Sequence, residues 1–491
     1  MFGEPPSIKV SDPIPTQTQT AAARLTLTLL ERALRVRAAD LPTDVREIAR
    51  QCVLDWMGVA VSGSGDHLIR LLLGQALSEG GKPVASLVGH AVRVAPQQAA
   101  LINGAASHVL DYDDVNTNFH GHPSAPILAA LLALAQVQRA DGRQLVESFV
   151  AGYEFACRVG MLVSPGHHQR GYHATSTMGA LGAAVACAHL LRLDAERAAH
   201  AVGIAATQAG GLKAMFGTQC KPFHAGVAAQ NGLRAAQLAA ASMMARADAL
   251  ECRQGFAAAM SPDFHPELAL ADAGRFHLRD NLFKFHASCY GTHAPIECLR
   301  GLREVHAIAP QDIARVTVRV EKDQDSACNI PSPRTALEMK FSLRFMAAAA
   351  LAGADTSDLA FFTEARTADS VLCSLRDKIS VELVQGWPMV KAEVIVELND
   401  GRRLRAIHDA GVPGSDCAVQ ARRLTAKFGR LVEPVLGAQR CGSLLSLLER
   451  IEQTSVVDLM DAAAIPPDRT IAQRMDDLWT VNQASLAALA Q

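Results

Sequence analysis

Three stretches of this 491-residue chain set histidine or lysine beside residues that begin helices. The first is Asp111-Tyr112-Asp113-Asp114, which runs through a polar loop (Asn116, Thr117, His120) to His122-Pro123-Ser124. The second is Gly171-Tyr172-His173-Ala174-Thr175, and the third is Lys221-Pro222-Phe223-His224. Proline suits the first turn of a helix because its missing N–H is one that a helix start leaves unpaired anyway. His122 and Lys221, each followed by proline, are therefore expected at helix mouths, Lys221 with its ammonium free. A helix start exposes unpaired N–H groups and about half a positive charge. Three such ends brought together would make a receptor for a small polyanion such as a di- or tricarboxylate. Histidine adds a group that gains and loses protons near neutral pH.

Other chemistry fits the same residues. Asp, Ser and Thr near helix starts also serve as caps. His120 and His122 beside three aspartates offer metal ligands, but the acidic pair lacks DDxxD spacing and no third histidine falls at zinc-site spacing, so no metal is expected. His167-His168 reads as a solvated loop, and Cys220 and Cys289 as buried structural thiols. The chain contains no GxGxxG after a strand, no GxxxxGK[ST], no HExxH and no GxSxG, so no cofactor is expected.

The elements that must position these residues fall into two patterns. Val45, Ile48, Ala49, Cys52, Val53, Trp56 and Met57 recur at helical spacing after Leu41-Pro42-Thr43-Asp44. Similar alanine-rich periods follow Pro96, Pro123 and Gly142 and recur at 174–191, 194–210 and 222–245. With aromatics at only 5%, small side chains should let helices pack closely and be buried all round. Near residue 273 the period changes. Residues 313–320 (IARVTVRV), 378–383 and 392–398 alternate like strands, Asn399-Asp400-Gly401 is a hairpin turn, and 337–354 reads as one helix between them. Helical period returns from about 418 (444–451, 456–463, 471–489). The fold class is therefore mostly α. A disordered tail (1–20) precedes a helical domain built from both chain ends (21–272 and 418–491), with a smaller α+β lid domain (273–417) inserted between them.

Composition narrows the function. Forty-seven basic against 49 acidic residues leave a net charge of −2, without the surplus a general nucleic-acid binder needs. Eleven cysteines without a CxxC pair suit a reduced, cytoplasmic protein. The most apolar windows fall short of the ~18–20 residues of a membrane span.

Taken together, NGAASHVLDYDD (103–114), HPS (122–124), GYHATSTMGALGAA (171–184), GTQCKPFHAGVAAQNG (217–232), FKFHASCYGTH (283–293) and CNIPSPRTALEMKFSL (328–343) resemble the MmgE/PrpD family from about residue 25 to beyond 460. Activities in that family include 2-methylcitrate dehydration, cis-aconitate decarboxylation and iminodisuccinate epimerisation. The resemblance implies a homodimer without metal or organic cofactor, with a small polycarboxylate bound between helical domain and lid. It implies Asp111, His122, His173 and Lys221 as catalytic residues. Lys284, His224, Tyr290 and one of Asn116 or Thr117 are the substrate-binding candidates. A tyrosine of the animal decarboxylase pattern falls near Ala327 here.

The shared chemistry is proton transfer at a carbon next to a carboxylate, which needs fixed cations to quench that charge. The expected reaction is hydro-lyase type, with decarboxylation or epimerisation by the same acid/base pair as the alternative. Activity is predicted to survive EDTA; loss in EDTA that a divalent ion restores would contradict the metal-free expectation.

Overall fold

A computed structural model describes residues 24–414 and 416–465; the expected tail (1–20) and the expected helix at 471–489 lie outside the described residues. The helical part comprises α1 (Leu25–Leu34), α2 (Thr43–Gly63), α3 (Pro96–His108), α4 (Ser124–Gln138), α5 (Gly142–Val163), α6 (Ala174–Leu190), α7 (Ala195–Ala206) and α8 (Cys220–Ala240), with further helices, among them His67–Glu79, between. The stripe from Val45 to Met57 is buried along α2. Every residue of α6 is buried, as small side chains allow. At Gly232 of α8, an added Cβ would meet the Ala183 side chain at 2.5 Å and the Ala180 carbonyl at 2.7 Å. Only glycine lets α8 lie this close to α6.

The second part holds α9 (His293–His306), β1 (Ile313–Glu321), α10 (Leu343–Leu351), α11 (Ser370–Asp377), β2 (Ile379–Val384), β3 (Lys391–Leu398) and β4 (Arg403–Asp409). The sheet order is β2-β1-β3-β4, with β1 parallel to β2 and the other pairs antiparallel. Val316, Val318 and Val320 of β1 and Val394 and Val396 of β3 are buried. The expected turn at residues 399–401 joins β3 to β4. β4 itself was not legible: its arginines mark an edge strand, where apolar alternation is weak. The single helix expected over 337–354 is broken. Ala336–Lys340 ends before Ser342, whose hydroxyl accepts from the Phe345 N–H and caps α10.

The chain then returns through α12 (Cys417–Leu436), α13 (Ala438–Glu449) and α14 (Val456–Ala463). The buried apolar side chains form two cores. One gathers side chains from Leu25 to Phe283 and from Leu424 to Ala463; the other runs from Ala287 to Leu398 and takes in Val59, Tyr112 and Leu431. No helix of the described residues is long and apolar enough to cross a membrane.

Two links fix the seam between the cores. Val115–Asn116 pairs antiparallel with Asn281–Leu282, which brings Lys284 beneath the loop that follows Asp111. From α12, the buried Lys427 ammonium donates to Asp55 Oδ1 (2.6 Å) and to the carbonyls of Tyr112 (2.7 Å) and Lys284 (3.0 Å). Lys427→Met would strand Asp55 and two carbonyls, and is predicted to cost about 3–5 kcal/mol of stability. Asp55→Asn in the same chain should recover part of that loss in urea unfolding. A loss below about 1 kcal/mol would place this pair among weak surface bridges instead.

Candidate active site

α3 ends at His108, and the next three residues make a turn in which Asp111 has φ +51°. That left-handed conformation is uncommon for a side chain other than glycine and costs of order 1–3 kcal/mol. It turns successive carbonyls outward, and ammonium groups meet them. Lys340 donates to the Leu110 carbonyl (3.0 Å), Lys284 to that of Asp111 (2.7 Å) and Lys427 to that of Tyr112 (2.7 Å). The Asp111 carboxylate takes Lys221 Nζ on Oδ1 at 2.5 Å and Lys284 Nζ on Oδ2 at 3.2 Å. Burial opposes the Asp111 charge, but Lys221 and Lys284 outweigh it and hold the carboxyl far below its ordinary range. The same attraction keeps Lys221 above its ordinary pKa despite its burial.

The histidines gather beside this carboxylate. His122 Nε2 is 3.7 Å from Asp111 Oδ1, and its Nδ1 is 3.1 Å from Asp113 Oδ2, off the line of a good hydrogen bond. Its backbone N–H donates to Thr175 Oγ1 at the start of α6 (3.1 Å). His108 Nδ1 donates to Asp113 (2.9 and 3.0 Å), which fixes its tautomer and leaves a buried Nε2 without a partner. His108 lies edge-on to His122 (ring centroids 4.5 Å) and stacks on His173 (5.8 Å). His173 immediately precedes α6, and its Nδ1 meets His224 Nδ1 at 3.2 Å. Burial drives His122 down to about 4 and His173 well below its ordinary value. Both are neutral at pH 7 and able to accept a proton.

Asp111, His122, His173, Lys221 and Lys284 thus meet in one buried cluster, with His224 at its edge. Lys221 departs from the sequence expectation. It lies inside the first turn of α8, 7% exposed, and its ammonium is paired rather than free. Asn116, Thr117 and Tyr290 are not brought to the cluster. Asn116 Nδ2 donates to Tyr153 Oη and the His277 carbonyl, and Thr117 is exposed. Tyr290 donates to the Ala410 carbonyl (2.6 Å) and lines a separate cavity of about 340 Å³ with His293 and Arg423. His167 is buried against Thr177 rather than in a solvated loop, because a short helix at Gly166–Gln169 folds it inward. Cys220 is exposed and Cys289 half-buried, so neither is the buried thiol expected. The neighbouring Cys328 lowers the Cys289 pKa.

His108, Asp113, Lys340 and Lys427 were missed by the sequence reading. His108 and Asp113 sit within the quoted stretch at 103–114, but an alanine-rich helix end gives no local sign of which polar residues turn inward. His108, Asp111, Asp113 and His122 place ligand atoms within 4.8 Å of one another, a set that could hold a metal. Both Asp111 oxygens already face ammonium groups, however, so a cation there would meet two like charges. The geometry suits anion binding and proton transfer better.

The cluster thus joins buried ammonium groups, neutral histidines and one shared carboxylate, an arrangement chemically able to hold an anion and move a proton. The MmgE/PrpD N-terminal domain matches residues 28–269 and the MmgE/PrpD C-terminal domain residues 286–453, and the chain belongs to this family. It is 28% identical to a cis-aconitate decarboxylase-like protein of Aspergillus oryzae over 91% of this chain and 96% of that protein. It is 25% identical to the cis-aconitate decarboxylase of Homo sapiens (88% and 93% covered) and 27% to that of Aspergillus terreus (64% and 68%).

The histidine environment makes a pH prediction. His90, His120, His122, His167, His168, His173, His189, His224, His286 and His293 all sit below their ordinary pKa, chiefly through burial. Unfolding returns each to about 6.5. Between about pH 6.5 and 4 the unfolded chain therefore binds protons that the native chain refuses, and stability falls as pH falls. Asp55, Asp114 and Glu154, raised by burial, act in the opposite sense but are fewer. The urea midpoint should be lower at pH 5 than at pH 7; a flat or rising midpoint would contradict the neutral-histidine site.

Proposed function

We propose that this protein is a cofactor-independent lyase that decarboxylates a small tricarboxylate of the cis-aconitate type. The observation that carries the reading is the buried meeting of Lys221 and Lys284 with the neutral His122 and His173 around Asp111. The named relatives support decarboxylation ahead of the hydro-lyase reaction expected from sequence.

In cis-aconitate the bond between the CH2 group and its carboxylate breaks and CO2 leaves. The freed electron pair forms a new C=C bond. The old double-bond pair moves to the carbon bearing another carboxylate, and that carbon takes a proton. Negative charge grows on the carboxylate attached there. Fixed ammonium groups in a dry site stabilise such charge far better than water does, because they need no reorganisation. A polyanion beside His122 and His173 also raises their proton affinity against the effect of burial. One then takes a proton from solvent and delivers it to carbon. We assign that role to His173, whose Nδ1 is engaged by His224 and whose Nε2 is left for the substrate, with His122 as its partner. The α+β part, which contributes Lys340, would close the site as a lid.

One residue supports a second reading. The tyrosine of the animal decarboxylase pattern falls near Ala327, which argues against simple transfer of decarboxylation and keeps a hydro-lyase acting on a 2-hydroxy acid such as 2-methylcitrate as the alternative. Incubation with cis-aconitate in deuterated water, followed by NMR, separates the two. Decarboxylation predicts CO2 release and one deuterium on a carbon next to a carboxylate. His173→Gln should lower turnover by about 10²–10⁴, the usual contribution of a positioned acid/base. Absence of both signals from cis-aconitate, with water loss from 2-methylcitrate, would replace decarboxylation by dehydration.

A further inference from the structure

Lys340 comes from the α+β part and reaches the turn that follows α3. The helix that carries it stops at that residue, since Ser342 caps the next one, and the side chain extends to the Leu110 carbonyl. Its ammonium also lies 5.1 Å over the Phe362 ring. The residue is 8% exposed. An ammonium has three N–H donors. Among the described residues only the Leu110 carbonyl accepts from this one, and no carboxylate oxygen lies within the 4.0 Å of an ion pair.

The other lysines of the turn differ in this respect. Lys221 and Lys284 both meet Asp111, and Lys427 meets Asp55. A buried charge without a counter-ion is costly, so Lys340 is the one member of the group that still lacks its anion. Burial, with Lys284 and Lys221 nearby, pulls its pKa down to about 8 against the attraction of Asp111, which leaves it charged at neutral pH. Lys340 and Lys284 donate to successive carbonyls of one turn. Three ammonium groups (Lys221, Lys284, Lys340) share one resident carboxylate, Asp111, at this end of the site.

We propose that Lys340 binds a substrate carboxylate remote from the reacting carbon, and thereby selects a tricarboxylate over the dicarboxylates that lack that group. The proposal rests on the polycarboxylate reading above and deepens it. A dicarboxylate held by Lys221 and Lys284 would leave Lys340 uncompensated in a buried site. A third carboxylate supplies the missing acceptor for its two idle N–H groups.

The test is binding of unreactive probes to the full-length protein by calorimetry at pH 7. Tricarballylate carries three carboxylates on a propane chain. Glutarate and 2-methylsuccinate lack its central and one terminal carboxylate, respectively. Wild type should bind tricarballylate about 10-fold or more tighter than both dicarboxylates, as a charge-assisted hydrogen bond implies. Lys340→Met should erase that preference and leave the weaker dicarboxylate affinities within about twofold; Lys340→Arg should keep most of it. If the methionine variant fails to fold, Lys340→Gln, which can still donate to the Leu110 carbonyl, should erase the preference in the same way. Equal weakening of all three probes in a folded variant would make Lys340 structural, and an unchanged preference, or none in the wild type, would equally overturn the proposal. None of these probes reacts. Failure to turn over cis-aconitate would therefore count against the decarboxylase reading alone.

Discussion

The turn at residues 110–112 is the point on which the rest of the structure depends. The end of a helix concentrates unpaired carbonyls and partial negative charge. Here three consecutive carbonyls and one carboxylate are met by four lysines from four separate segments: α8, the crossover after residue 282, the α+β part and α12. The left-handed backbone of Asp111 presents the carbonyls and the carboxylate together. Its strain persists because this many partners hold it. The result is a dense positive centre at the seam between the two cores.

Burial sets the state of the histidines, and that centre reinforces it. Burial, His108 and Lys221 act in the same direction on His173 and keep it unprotonated. A neutral imidazole beside fixed cations is a poor acid until an anion arrives. The arrangement thus couples substrate charge to proton supply: the ligand that needs a proton delivered to carbon is also the one that makes the imidazole basic enough to take it from water. Asp113 contributes from behind by fixing the His108 tautomer and facing His122 Nδ1.

Much of this was readable in the residue order. The helical stripe of α2, the strands β1 to β3 and the turn at 399–401 follow from period and turn chemistry, which are local properties. The convergence of Asp111, His122, His173 and Lys221 followed from their common setting at helix ends together with the resemblance. What stayed hidden depends on distant partners. Lys427 lies on the apolar stripe of α12 between Leu424, Phe428 and Leu431, a position where a lysine signals a buried counter-ion; that counter-ion, Asp55, is 372 residues away. Lys221 was expected free because nothing near it in sequence shows that Asp111 turns toward it. Asn116 and Thr117 follow Asp111 closely, yet the pairing of residues 115–116 with 281–282 turns that loop away from the cluster.

The central claim is that this lysine-lined turn receives the substrate's carboxylates. An experimental structure of the protein bound to tricarballylate tests it most directly. The account predicts one carboxylate within hydrogen-bond reach of the Lys221 and Lys284 ammonium groups and the carbon chain facing His173. A ligand bound elsewhere, with the Asp111–Lys221–Lys284 contacts unchanged and no carboxylate near them, would contradict it.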